Sequence, residues 1–312
     1  MVKVNVRRGI TRPQPMDYAT TRGMERALCA RYGFLRPVAL GQSVLGRELT
    51  GIVLSPAGDN VKDPQRVLVA GAFHGQEWLT ALCTLRLCEE LARALSLRRP
   101  LWGLSIPGAM QGRQIWFVPM VNPDGVEIAL NGSASAGEQQ LFVSVAGGNC
   151  PGRWQANARG VDINRNFDAG WEEAVCAARS LRCDRPGARY YPGTAPESEP
   201  ETRALTELCR RVDFRHVVAL HTQGEEIYWS YGEYTPPQSQ LIARVLGAAA
   251  DYAVATPSPE AAHGGFKDWF IRTFHRPGFT VELGLGENPL PLEDFEGIME
   301  KAGEMLTLAT LL

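Results

Sequence analysis

A histidine and a glutamate three residues apart, His74 and Glu77 in HGQEW, can converge on one cation where a strand gives way to a helix. Alone the pair says little, because with five histidines and 34 acidic residues in the chain an H-x-x-E arises easily by chance. His221 changes its weight. It ends the apolar run HVVAL, and open α/β sheets present their ligands at the carboxyl ends of strands. Two histidines and one glutamate, with a fourth position left open, form a catalytic rather than a structural zinc set, and the same donors could hold iron. Hydrolysis at such a centre needs a carboxylate that takes a proton from water and hands it to the leaving amine. Glu282 fits, following Phe279 and Val281 at the end of another apolar strand, whereas a structural glutamate more often sits on a solvated helix face. Glu225 and Glu226, shortly after His221, compete for that role and are assigned here to supporting or substrate-binding positions. His216 lies an odd number of residues before His221 on the same run, so strand alternation points it to the opposite face, into the packing.

Strands alternating with helices must position these groups. Residues 18–35 carry a mixed helical pattern and are expected to form an N-terminal helical extension, 1–35, packed on a single domain that spans 1–312. Residues 38–54 and 65–73 are β-branched and apolar, separated by the turn-rich SPAGDNVKDP, and are expected to be neighbouring strands. Trp78, Leu82, Leu85, Leu91 and Leu95 recur at helical spacing, which predicts a long amphipathic helix over 78–97. QIWFVP predicts a buried strand, followed by a turn at Asn122-Pro123-Asp124-Gly125. Residues 131–157, rich in Gly, Ser and Ala, are expected to be a long surface loop. Ser198 and Glu201 have the spacing of a capping box, which predicts a helix from there to about Arg211. A helix is expected over 241–255 and a strand over 278–283, the whole reading as a mostly parallel or mixed sheet covered on both faces.

The composition narrows the partners. With 32 basic against 34 acidic residues, a net charge of −2 excludes an electrostatic footprint for nucleic acid or an anionic membrane surface. The amino-terminal MVKVNVRRGITRPQP has positive charge without an apolar stretch behind it, and no run of about 18 uncharged apolar residues occurs, so a cytoplasmic location is expected. Seven cysteines, Cys29, Cys83, Cys88, Cys150, Cys176, Cys183 and Cys209, lack any C-x-x-C pair and are expected to be reduced and packed.

In order and spacing over roughly residues 18–310, HGQEW, NPDG, GVDINRNF, YPGTAPESEPET, LHTQGEE and FTVELG together resemble the zinc metallocarboxypeptidase family. The resemblance implies an α/β fold, a mixed, twisted, roughly eight-stranded sheet flanked by helices on both faces. It also implies one Zn2+ held by His74, Glu77 and His221, with Glu282 as the base, and favours zinc over iron. Asn164 and Arg165 would bind the carboxylate of the substrate's C-terminal residue, a task for which a guanidinium fork is well shaped. Either Arg153 or Arg159 would serve the oxyanion, with Arg153 preferred.

Departures from the digestive members matter as much. Gln76 stands where they carry an arginine, and Glu260 where they carry a tyrosine shortly before the GG-x-x-DW segment. In GGFKDW the specificity-pocket position is Lys267, which would select a side chain bearing a negative group. HTQGEEIYW, GGFKDWFI and RPGFTVELGLGENPLP are most similar to the bacterial branch that hydrolyses the γ-D-glutamyl-diaminopimelate bond of peptidoglycan stem peptides. Diaminopimelate ends in a zwitterion, so Lys267 would take its carboxylate and Glu225 or Glu226 its amine. The expected partner is thus a small peptide or soluble muropeptide, handled in the cytoplasm or a sporulating mother cell. Rival readings are a carboxypeptidase for α-linked peptides with an acidic C-terminal residue, an amino-acid deacylase, and an inactive binding protein, though no ligand or base has been lost.

Overall fold

The structure is a computed structural model, and it describes residues 9–58, 62–147, 151–257 and 262–312. Its strands are β1 (Leu35–Gln42), β2 (Glu48–Leu54), β3 (Gln65–Ala70), β4 (Arg113–Val118), β5 (Phe214–Thr222), β6 (Glu226–Tyr228), β7 (Ala253–Ala255) and β8 (Gly278–Leu283). The helices are α1 (Tyr18–Arg31), α2 (Leu79–Leu97), α3 (Ile106–Ala109), α4 (Pro123–Asn131), α5 (Gln140–Gly147), α6 (Trp171–Ser180), α7 (Pro200–Arg211), α8 (Ser239–Ala250), α9 (Phe266–Phe274) and α10 (Phe295–Leu311). One mixed eight-stranded sheet runs in the order β1-β2-β4-β3-β5-β8-β6-β7, with β4, β3, β5 and β8 parallel at its centre.

Apolar side chains of α1, α2, α8 and α10 pack against one face, including Met24, Leu28, Leu82, Leu85, Leu246 and Met305. Leu205 and Leu208 of α7, Trp269 and Phe270 of α9, and Phe167 cover the other. Burial on both faces accounts for the near-continuous apolar character of β3, β5 and β8. No helix among the described residues is long and apolar enough to cross a membrane.

Several expectations are corrected. Residues 38–54 form not one strand but the antiparallel hairpin β1–β2, turned where Gly46 takes a positive φ of 78° and Arg47 O accepts from Ser43 N. β2 and β3 are not neighbours, because β4 inserts between them and pairs with both. A ten-residue connection is too long for a tight hairpin and leaves that room. Asn122-Pro123 opens α4 rather than a turn, with Asn122 Oδ1 accepting from Gly125 N at 2.9 Å and proline at the first helical position. The stretch 131–157 is partly helical. A 3-10 turn over Ser133–Gln139 and then α5 bury Ala136 and Val143 with Trp154, a packing that small residues hide from any periodicity, and residues 148–150 lie outside the described residues.

α7 starts where expected, yet the capping box does not form: Glu199 is the N-cap, Ser198 Oγ donates to Glu199, and Glu201 is fully buried. The helix expected over 241–255 ends at Ala250, where Asp251 turns left-handed, and the rest becomes the edge strand β7. Only Cys83, Cys88 and Cys209 are packed away, whereas Cys176 is exposed and Cys29 and Cys183 are partly so; Cys150 lies outside the described residues.

Candidate active site

The carboxyl ends of β3, β5 and β8 meet at one corner of the sheet. His74 follows β3 and caps the short turn Gly75–Glu77 that leads into α2, which puts Glu77 back over the strand ends. Close backbone contact holds this turn, since a Cβ on Gly75 would lie 2.2 Å from Gly125 O. Asn122 fastens it further by donating to Phe73 O at 3.0 Å. In β5 and β8 His221 and Glu282 stand in register as neighbours, so the two side chains share one face.

His74 Nδ1 and His221 Nδ1 each lie 2.9 Å from an oxygen of Glu77, and the ligand atoms of all three residues fall within 4.8 Å of one another. Two imidazoles and a carboxylate so gathered fit a tetrahedral zinc with one open position. The outer nitrogens are held too. His74 Nε2 lies 3.2 Å from Asp162 Oδ1, so a ring that ligates through Nδ1 keeps its proton on Nε2 and donates it there. The Asn164 amide lies 3.4 Å from His221 Nε2, while Phe73 stacks on the His221 ring at 5.1 Å.

Electrostatics separate the carboxylates. Burial pushes Glu77 up, but the flanking His74 and His221 outweigh it and hold the carboxyl at about 2. Asp162 is likewise raised by burial and brought down to about 2 by His74, Arg165 and the Tyr190 N–H. Glu282 goes the other way: burial and then the Glu77 charge push it well above the ordinary carboxylate range. A divalent cation held by its neighbours acts against that rise.

A cavity of about 770 Å³ opens on this corner. Of the residues singled out by sequence, His74, Glu77, His221, Glu282, Asn164, Arg165, Arg153, Lys267 and Gln76 line it. Arg165 is buried, its Nε 3.8 Å from Asp162 Oδ2 and its guanidinium 4.9 Å from the centre of the Tyr190 ring. Arg153 stands exposed at the mouth, 3.7 Å from Glu287, whereas Arg159 lies away from the cavity, 3.5 Å from Glu199. Lys267 is buried, donating to Ser230 O at 2.7 Å and to the Asp268 carboxylate.

Glu225 and Glu226 are not among the residues lining the cavity, although Glu226 stands opposite Glu282 in the β6–β8 pair. Lys301 of α10 pairs with Glu225, and Glu226 accepts from the Tyr228 hydroxyl at 2.8 Å. Glu260 lies outside the described residues. His216 is buried as expected, its Nε2 2.6 Å from Ala309 O.

Sequence reasoning missed Asp162, Asp268 and Asn288. Asp162 stood within GVDINRNF, and its place two residues before Asn164 was a usable signal. Asn288, which accepts from Thr222 Oγ1 at 2.6 Å and lies 3.5 Å from Glu77, stood within RPGFTVELGLGENPLP without a spacing that marked it out. The loop bearing Asp162 and Arg165 is fastened from behind. Asn157 Nδ2 donates to Glu199 and Glu201 at 2.8 and 3.1 Å, and Asn166 donates to Pro192 O at 2.8 Å and accepts from Glu199 N at 3.0 Å.

Residues 24–306 match the model of the zinc carboxypeptidase family. Gamma-D-glutamyl-L-diamino acid endopeptidase 1 of Lysinibacillus sphaericus is 35% identical over 292 residues, covering 93% of this chain and 70% of that protein. The uncharacterized protein YqgT of Bacillus subtilis is 33% identical, covering 86% of this chain and 69% of its own length. Among solved structures, the carboxypeptidase A from Helicoverpa armigera shares the fold with a TM-score of 0.71 at 18% identity, over 96% of this chain and 73% of that one. With the donor set gathered at the sheet corner and the family match spanning nearly the whole chain, the protein belongs to the zinc carboxypeptidase family and is a zinc metallopeptidase.

Proposed function

We propose that the chain hydrolyses the γ-D-glutamyl-diaminopimelate bond of peptidoglycan-derived peptides, with His74, Glu77 and His221 as the zinc ligands. The observation that carries this reading is the 35% identity, over 93% of the chain, to a protein named for γ-D-glutamyl-L-diamino acid cleavage. A cavity that lines Arg153, Arg165 and Lys267 around one metal corner supports it, because diaminopimelate brings two carboxylates.

Zinc, held there by His74, Glu77 and His221, would supply Lewis-acid polarisation of the scissile carbonyl and would lower the pKa of the attacking water. Glu282, in register with His221, is placed to take a proton from the attacking water and to return it to the leaving amine. Arg165, buried and oriented by Asp162 and Tyr190, binds the α-carboxylate together with Asn164, and Arg153 at the mouth steadies the oxyanion. Asp162 holds the His74 ring in the tautomer that leaves Nδ1 free to ligate.

The test compares zinc-loaded protein on L-Ala-γ-D-Glu-meso-diaminopimelate, on the matched peptide ending in lysine, and on an α-linked peptide ending in glutamate. The diaminopimelate peptide should be cleaved with a kcat/KM at least about tenfold above both, the discrimination expected when a buried charged contact is lost. Equal rates on the lysine peptide remove the reading, and preference for the glutamate peptide puts the acidic-residue carboxypeptidase in its place.

A further inference from the structure

Thr222 follows His221 as the last residue of β5, and the chain leaves the strand with φ of 141° at Gln223 and 145° at Gly224. The loop 284–291, which begins after β8, lies against that exit. Gly224 N donates to Gly284 O at 2.8 Å, and Asn288 N donates to Gln223 Oε1 at 2.6 Å. The Asn288 side chain reaches further in and lines the cavity. Its Oδ1 accepts from Thr222 Oγ1 at 2.6 Å, and its Nδ2 donates to Thr222 O at 3.0 Å and to Glu77 Oε1 at 3.5 Å, the long end of hydrogen-bond range. These partners fix which way the amide faces. A peptide carbonyl and an ionised carboxylate can only accept, so both N–H groups of Nδ2 turn toward them, and Oδ1 is left for the Thr222 hydroxyl.

A carboxylate that ligates a metal needs a donor outside the ligand set to fix its orientation. Asn288 supplies one to Glu77 across 211 residues of chain. It is also neutral. A lysine or arginine in its place would compete with the metal for the Glu77 charge, whereas an amide orients the carboxylate and leaves its charge available. We infer that Asn288 is a positioning residue of the metal corner: its amide, locked by Thr222, holds the Glu77 carboxylate in the orientation that ligates, and it ties the loop 284–291 to the end of β5. The inference rests on Glu77 being a zinc ligand and goes beyond that reading by naming the group that orients it.

The test reads zinc Kd values by chelator competition on the full chain. Asn288→Leu, close in shape and unable to donate, should bind zinc about 10- to 100-fold more weakly than wild type. Gln223→Leu removes the acceptor of the Asn288 backbone N–H and so loosens the same loop while leaving the amide in place. Its zinc affinity should stay within about threefold of wild type. Thr222→Val unlocks the amide and should weaken zinc binding by about three- to tenfold. An Asn288→Leu affinity within about threefold of wild type overturns the inference. Equal losses in Asn288→Leu and Gln223→Leu overturn it too, because Asn288 would then only staple the loop. Should Asn288→Leu fail to fold, Thr222→Val decides in its place, and unchanged zinc affinity there overturns the inference. Glu77→Gln is measured alongside: zinc binding as tight as that of the wild type removes Glu77 from the ligand set, a failure of the ligand reading that is distinct from any result at Asn288.

Discussion

The metal corner and the anchorage behind the 157–166 loop both bury carboxylates close together, and they treat them oppositely. At the corner Glu77 lies between two imidazoles at 2.9 Å and is held at about 2. Behind the loop Glu201, fully buried, receives its own backbone N–H together with Val44 N and Asn157 Nδ2, the last two each at 3.1 Å, and faces the charge of Asp124. Burial and then Asp124 push Glu201 up to about 7. Burial alone therefore raises a carboxylate, and what reverses it is a neighbour able to carry positive charge. The corner keeps its carboxylate ionised because two imidazoles flank it. The anchorage needs hydrogen bonds only, and tolerates a proton.

Three measurements would break or sharpen that contrast. The largest effect is expected for Glu282→Gln, which keeps the shape of the corner while removing the carboxylate proposed as the base. Turnover should fall about 10³-fold with zinc stoichiometry unchanged, and a variant that retains more than about a tenth of wild-type activity takes Glu282 out of its role.

Next comes Glu201. Its folded value near 7 lies above the ordinary 4.5, so the stability tied to its proton is complete below pH 4.5 and lost as pH rises through 7. Wild-type unfolding free energy should drop by about 3 kcal/mol more between pH 4.5 and 8 than that of Glu201→Gln, read from denaturant melts. Parallel pH profiles would mean that Glu201 is ionised throughout, and the contrast with Glu77 would collapse.

The smallest effect is expected for Asp162→Asn, which should weaken zinc binding about 10- to 100-fold in chelator competition, whereas Glu201→Gln should leave it within about threefold. Equal losses in both variants would show that the anchorage and the corner act as one unit.

The elements that carry the metal ligands were legible because each depends on a few neighbouring residues. The apolar runs of β5 and β8 end at His221 and just past Glu282, and α2 follows Glu77 with a clear helical period. The stretch 131–157 was not legible, since its packing rests mostly on alanines, with Val143 and Phe142, set against Trp154. The NPDG segment was misread for a related reason: the residues that favour a turn are also those of a helix N-cap and first turn, and the contact of Gly75 with Gly125 decides between them.

What the amino-acid sequence determined by itself is the kind of site: a donor set of two histidines and a glutamate, a second glutamate on a strand end, and the family whose motifs hold them in order. The partners of the charged side chains were decided only by tertiary structure. Sequence offered Glu225 and Glu226 as partners for a substrate amine; the fold pairs Glu225 with Lys301 and Glu226 with Tyr228, contacts that no local pattern announces. Asp162 likewise meets His74 across 88 residues of chain. Period and capping are local and survive in one dimension, whereas the partner of a charged side chain depends on which distant segment folds over it.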